Sequence, residues 1–312
     1  MANIIDNEIK DIVNLILDDY KNGRDIDEMD IHGQPDRDEV RSVTRKLIHI
    51  LFPGYYQEKV YKSNNNEFRL SILIEDAFYN LSKQIEVALR HRPDFTDEKE
   101  ELLKPKADEL TARFFKTIPK IREYVDTDIQ ATYDGDPASY DKQDIIISYP
   151  GLLASTINRM AHELYLLEVP LIPRVMTEYA HSRTGIDIHP GATLGKYLMI
   201  DHGTGVVVGE TSIIGEHVKI YQGVTIGALS TKGGQHLKGD KRHPTIEDNV
   251  TIYSNASILG GNTVIGHDSV IGGNCFITFS VAPETRVSIK NQELTLKGKQ
   301  YQYGVDYFDY VI

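Results

Sequence analysis

Residues 186–227 read IDIHPGATLGKYLMIDHGTGVVVGETSIIGEHVKIYQGVTIG, and aliphatic side chains recur along them at a step of six. They fall at Ile188, Leu194 and Ile200, then at Val208, Ile214, Ile220 and Ile226. The ladder resumes at Ile246, Ile252 and Ile258, slips by one residue, and continues through Ile265, Ile271 and Ile277. Glycine often follows the aliphatic rung, and a small or β-branched residue tends to sit four positions after it. A period of six is out of phase with the 3.6 residues of a helical turn, and the segment is rich in Gly, Val, Ile and Thr. A short fixed period is the signature of a β-helix, whose units bury their apolar face only by stacking on their neighbours.

Two breaks interrupt the ladder. Asp201-His202-Gly203-Thr204-Gly205 adds two residues to one coil, and residues 228–244 form a long polar excursion rich in Gly, Lys and His. Insertions in a solenoid map to loops on one side and often carry binding. Both breaks hold histidine and charged residues, so they are the places to look for chemistry.

Upstream of the ladder, to about residue 150, the periodicity is mainly helical. Val40, Val43, Leu47, Ile50 and Leu51 share a helical face, with Asp36 and Glu39 placed as a capping box and Pro53-Gly54 as the stop. Ile12, Val13, Ile16 and Leu17 read the same way, while Asn64-Asn65-Asn66 and Pro93 to Asp97 read as turns. Further helices are expected near Ser155–Leu167, closed by Pro170, and over Pro173–Ser182, which hands over to the ladder at Gly185. The expected organisation is a helical N-terminal domain over 1–184, a β-helix domain over 185–285 and a C-terminal tail over 286–312.

The chain has 312 residues, enough for one large domain or two of average size. Its net charge of -12 argues against nucleic acid or an anionic membrane as partner, since both call for clustered Lys and Arg. No apolar run approaches a membrane span, and the start, MANIIDNEIK, lacks the basic and apolar regions of a signal peptide. Cys275 is the only cysteine, so no internal disulfide is available and a reducing, cytoplasmic setting is the default.

The run GIDIHPGATLG…IDHGTGVVVGET…YQGVTIGALS…KRHPTIEDNVTI resembles the serine O-acetyltransferases, the left-handed β-helix acyltransferases of cysteine biosynthesis. The match covers roughly Asp128 to Thr278 and includes Asp134-Gly135-Asp136-Pro137-Ala138 and the helix around His162. Plain hexapeptide ladders are common to many acyltransferases, whereas DIHP, DHGTG and RHP in that order are much narrower. The resemblance implies an α+β fold, with a helical N-terminal domain, a left-handed parallel β-helix of hexapeptide repeats and a flexible C-terminal tail. The implied activity is transfer of acetyl from acetyl-CoA to the L-serine hydroxyl, with no metal required.

Acetyl transfer to an alcohol needs a base for the hydroxyl proton, and imidazole suits that task at neutral pH. The resemblance puts this base at His202. Asp187 lies fifteen residues earlier, close to one coil of three hexapeptides, and is expected to stand over His202 and fix its tautomer. His189 of the DIHP motif either takes part directly or only satisfies local backbone groups. Asp136 and Asp201 correspond to the residues that hold the serine ammonium. Arg242 and His243 correspond to those at its carboxylate, where an arginine can bind through two parallel hydrogen bonds. Gly227, Ala228 and Ser254 match positions along the CoA groove, where small residues permit close backbone approach. Gly234 to Arg242 is several residues longer than the short form common in the family.

The chain ends in Asp306-Tyr307-Phe308-Asp309-Tyr310-Val311-Ile312. Many family members end in such an acidic, aromatic tail, whose terminal Ile carboxylate enters the active site of O-acetylserine sulfhydrylase, so Ile312 is the expected anchor. The family also implies feedback inhibition by L-cysteine and assembly as a homotrimer or a dimer of trimers, with active sites between neighbours. Three other readings compete. A sugar acetyltransferase would share the ladder and the histidine but lacks the long helical domain. A zinc carbonic anhydrase would need three converging histidines from His202, His217, His236 and His243. A mere trimerisation scaffold leaves Asp187, His202 and Arg242 unexplained.

Overall fold

The structure is a computed structural model that describes residues 2–28, 30, 33–56, 66–92 and 101–290. Of the expected turn at Asn64-Asn65-Asn66, Asn66 instead opens a helix, while Asn64 and Asn65, the expected turn at Pro93 to Asp97 and the terminal segment ending at Ile312 lie outside these residues.

Among the described residues, eight α-helices come first: α1 (Ala2–Asp19), α2 (Arg37–Leu51), α3 (Asn66–Leu89), α4 (Leu103–Phe115), α5 (Ile118–Gly135), α6 (Lys142–Ser148), α7 (Pro150–Leu166) and α8 (Ile172–Thr184). The Asp36 side chain caps α2, accepting the N–H groups of Asp38 at 2.7 Å and Glu39 at 3.2 Å, and the helix ends just ahead of Pro53 as expected. Helix α7 starts five residues earlier than the expected Ser155. Pro150 opens it, since proline at the first helical position sacrifices no hydrogen bond. Helix α8 closes on Gly185, whose φ of +71° gives the left-handed cap that glycine adopts freely. Helix α1 forms where expected, but Ile12, Val13, Ile16 and Leu17 stay exposed.

From Asp187 onward, two- and three-residue strands fall in rotation on three parallel faces. Face one carries Asp187–Ile188, Val207–Val208, Thr225–Gly227, Ser257–Leu259 and Phe276–Ile277. Face two begins at Thr193–Leu194 and face three at Met199–Ile200. Every rung that the sequence ladder named, from Ile188 to Ile277, is buried in one continuous core. Faces one to three wind through coils of unequal length. Val207 pairs with Thr225, a coil of eighteen residues, whereas Asp187 pairs with Val207, a coil of twenty. The excursion stretches the next coil, so that Thr225 pairs with Ser257. A last strand, Arg286–Val287, still pairs with Val270–Ile271, so the ladder runs past the expected end at 285.

The helical core and the ladder core meet through α5 and α7. Gly151 approaches face three so closely that a Cβ there would lie 2.0 Å from the Ile200 carbonyl oxygen. Beside it lies a buried ion pair. Arg159 donates to Asp128 from both Nε and Nη2 at 2.8 Å, and also to the carbonyls of Leu194 from Nη1 at 3.0 Å and of Gly195 from Nη2 at 2.7 Å. Asp128 also accepts the Leu198 N–H at 3.0 Å and the Ser155 hydroxyl at 3.2 Å. A buried charge pair is tolerable only with its other valences met, and here helix and ladder meet them jointly. Among the described residues no helix is long and apolar enough to cross a membrane.

Candidate functional site

The candidate residues gather on the two edges of face one. The entry edge, where the chain arrives from face three, carries the first break. Asp201 follows Ile200 in the register that stacks Ile200 on Ile220 and Ile220 on Ile252, so Asp201, Tyr221 and Tyr253 form a column. The rings of Tyr221 and Tyr253 stack with centroids 5.1 Å apart. The two extra residues of this coil are His202 and Gly203. Both take left-handed backbone, φ +55° and +77°, and the His202 side chain projects off the edge, 70% exposed. A histidine held there costs on the order of 1–2 kcal/mol, although Tyr197, His217 and Asn249 take similar corner conformations.

Asp136 reaches the same edge from the end of α5. It accepts the Tyr149 hydroxyl at 2.6 Å and the Ala138 N–H at 2.8 Å. That bond to Asp136, together with burial and the nearby Asp144 and Asp201 carboxylates, pushes the Tyr149 phenol up to about 12. Burial, Asp201, Tyr253 and Asp136 raise Tyr221 as well. Asp136 and Asp201 both act on Tyr149 and on Tyr221, so the two carboxylates share one neighbourhood of tyrosines. Two carboxylates there suit a small cation such as an ammonium group.

The exit edge carries the other half. Arg242 and His243, at the return of the excursion, dock on Glu210-Thr211 of the coil above. Arg242 Nη2 bonds to Glu210 Oε2, whose other oxygen takes the Tyr165 hydroxyl at 3.0 Å. Burial raises the Glu210 carboxyl, but the bonds from Arg242 and Tyr165 outweigh it and hold the group below the ordinary glutamate value. His243 is 7% exposed, and burial, with Arg242 and Lys241 nearby, pushes it down to about 4. Gly209 leaves room for this ring: a Cβ would lie 2.0 Å from His243 Cδ2. Lys241 ties the excursion down by donating to the Thr211 carbonyl at 2.7 Å and that of Pro244 at 3.1 Å. His189 takes the Gly191 N–H on Nδ1 at 3.0 Å and packs edge-on to Tyr165, the local backbone role weighed for it.

The structure corrects the spacing argument for Asp187. One coil from Asp187 is Val207, because the two added residues lengthen that coil, so fifteen residues fall short of a turn. Asp187 lies on face one with Arg174 Nη1 3.5 Å away, while His202 Nδ1 sits 3.5 Å from Asp201 Oδ1. Gly227 and Ala228 sit at the exit edge and Ser254 at the entry edge, beside Tyr253. Among the described residues, one group of possible metal ligands, Glu178, His181 and Asp187, gathers within 4.8 Å. Arg174 already pairs with both its carboxylates, so a cation there would have to displace a guanidinium. His202 and His217 lie on separate edges from the excursion that carries His236 and His243.

No protein-family model matches the chain. A plasmid-borne serine acetyltransferase of Synechococcus elongatus is 41% identical over 219 residues, 68% of this chain and 69% of that protein. The chain belongs to the serine acetyltransferase family. Solved serine acetyltransferases share its fold. Isoform 3 of Entamoeba histolytica, in complex with cysteine, superposes with a TM-score of 0.68 at 36% identity, over 82% of this chain and 84% of its own. The Neisseria gonorrhoeae enzyme in complex with serine does so with a TM-score of 0.52 at 26% identity, over 85% and 98%. As a serine acetyltransferase the chain is an acyltransferase, with a helical domain leading into a parallel β-helix.

Sequence reasoning missed Tyr149, Tyr221, Glu210 and Thr211. Tyr221 was within reach, one twenty-residue coil after Asp201. Glu210 and Thr211 were not, because their partners follow an excursion whose length hides the register.

Proposed function

We propose that the chain transfers acetyl from acetyl-CoA to the L-serine hydroxyl, giving O-acetylserine and CoA for cysteine biosynthesis, at sites shared between neighbouring copies. The observation that carries this reading is the division of charge between the edges of face one. Asp136 and Asp201 stand at one, Arg242 and His243 at the other. Face one is on the order of 15 Å across, taking about 3.3 Å per residue. The ammonium and carboxylate of an amino acid share a single carbon, so one chain cannot hold both. Packing the entry edge of one copy against the exit edge of the next completes the site and favours a closed homotrimer. Pairing of two trimers through the helical domains remains compatible with it.

In this site His202 takes the serine hydroxyl proton as the oxygen attacks the thioester carbonyl. The tetrahedral oxyanion collapses with loss of the CoA thiolate, which receives the proton from the imidazolium, and the base is restored. Asp187 of the completed site orients the imidazolium, and backbone N–H groups stabilise the oxyanion. Gly227, Ala228 and Ser254 line the path of acetyl-CoA, and no step calls for a metal. L-Cysteine offers the same amino-acid frame with a thiol and acts as a competing inhibitor, in keeping with the cysteine bound to the Entamoeba relative. The working compartment is the cytoplasm. Ile312, outside the described residues, is the proposed anchor for O-acetylserine sulfhydrylase.

Complementation tests the reading. H202A and R242A are each expected to release little thiol from acetyl-CoA with L-serine. Co-expressed as mixed oligomers, they should regain a sizeable fraction of activity, because some sites combine two intact edges. No recovery in proven mixed oligomers would place the whole site in one chain. Release with a sugar but not with L-serine would overturn the acceptor.

A further inference from the structure

Thr211 meets the Arg242-His243 pair through four hydrogen bonds. Its Oγ1 accepts the backbone N–H of Arg242 at 2.9 Å and that of His243 at 3.0 Å. With both lone pairs taken, the hydroxyl proton is left to donate, and His243 Nδ1 stands 2.9 Å away. The Thr211 backbone N–H points at the same nitrogen from 3.0 Å. A backbone N–H can only donate, so Nδ1 is the acceptor and the ring proton resides on Nε2. The ionised or ionisable groups around the ring are Arg242, Glu210, Lys241 and His189, and among the described residues both hydrogen bonds to the ring come from Thr211. Among the described residues Nε2 has no hydrogen-bond partner, although Nδ1 has two.

We infer that Thr211 is a positioning residue for the acceptor carboxylate. By filling Nδ1 of His243 it fixes the tautomer that offers Nε2–H as a donor, and by accepting both backbone N–H groups it anchors the Arg242-His243 turn to the ladder. The inference rests on the reading of His243 as a carboxylate ligand. A histidine free to swap tautomers would present a bare lone pair to a carboxylate part of the time, and that contact is repulsive.

The test uses the full-length chain with 15N-labelled histidine. At pH 7 the wild-type protein should show His243 as the neutral Nε2–H tautomer; an Nδ1–H or doubly protonated ring would overturn the inference without any variant. T211V keeps the shape but removes the hydroxyl. It should disturb the His243 signature and raise the KM for L-serine roughly tenfold, with little change in the KM for acetyl-CoA. T211S should restore both. An undisturbed His243 in folded T211V overturns the positioning role while leaving the serine reading intact. A disturbed His243 with an unchanged serine KM instead removes His243 from the acceptor site, and the functional half of the inference with it.

Discussion

Asp201 stands over Tyr221, one coil apart on the entry edge, and the chain bulges out between them through His202 and Gly203. The imidazole is thus carried by the residues the ladder does not need. Replacing His202 with alanine should lower turnover by about 10²- to 10⁴-fold and leave the fold within about 0.5 kcal/mol, as expected for an exposed side chain. Thiol release and thermal denaturation on the same preparation check both halves. Near-normal turnover would remove His202 from the chemistry.

Tyr149, the residue that precedes α7, holds Asp136 by a 2.6 Å bond. Tyr149→Phe leaves the carboxylate without that donor, held, among the described residues, only by the Ala138 N–H. The KM for L-serine should rise by roughly threefold to tenfold, the worth of one hydrogen bond to a charged group, with kcat much less affected. A fall in kcat alone would mean that the phenol acts on the reaction rather than on binding.

Acid should loosen the exit edge before it unfolds the ladder. His243 has a folded-state value of about 4 against an ordinary 6.5, so the unfolded chain takes up a proton that the folded chain resists. Its contribution is present above about pH 6.5 and is lost as the pH falls towards 4, on the order of 3 kcal/mol over the whole span. Urea midpoints measured from pH 7.5 to 4.5 should fall faster for the wild type than for His243→Gln. Parallel curves would show that the ring titrates normally.

The Asp128–Arg159 pair should be worth most when only half of it is removed. Asp128→Asn leaves a guanidinium buried between helix and ladder and should cost about 3–5 kcal/mol. Replacing both residues with apolar ones of similar size should cost clearly less. A single substitution as mild as the double would mean that water reaches the site.

The rungs of the ladder were legible because each inward position is met by the next coil at the same register, so a local repeat carries a global contact. The two edges of face one were legible as motifs but not as a geometry. His202 could be singled out by its place in a break, yet the fifteen residues from Asp187 do not make one coil, because the same break lengthens that coil to twenty. Glu210 and Thr211 sit within the motif itself, but what they touch arrives 32 residues later, after the excursion. The helices were readable from Val40 to Leu51, where one face is apolar and the ends are capped. At Ser155 the start was misplaced, because Pro150 begins a helix as readily as it ends one.

The unequal coils say something about how such a chain can change. Extra residues at a corner leave and rejoin at one point, so they shift no later side chain, whereas one residue added within a strand would turn every following rung inside out. Corner length is therefore a free variable of this architecture. The His202-Gly203 pair and the excursion are two settings of it, adjustable one at a time against a scaffold that does not register the difference.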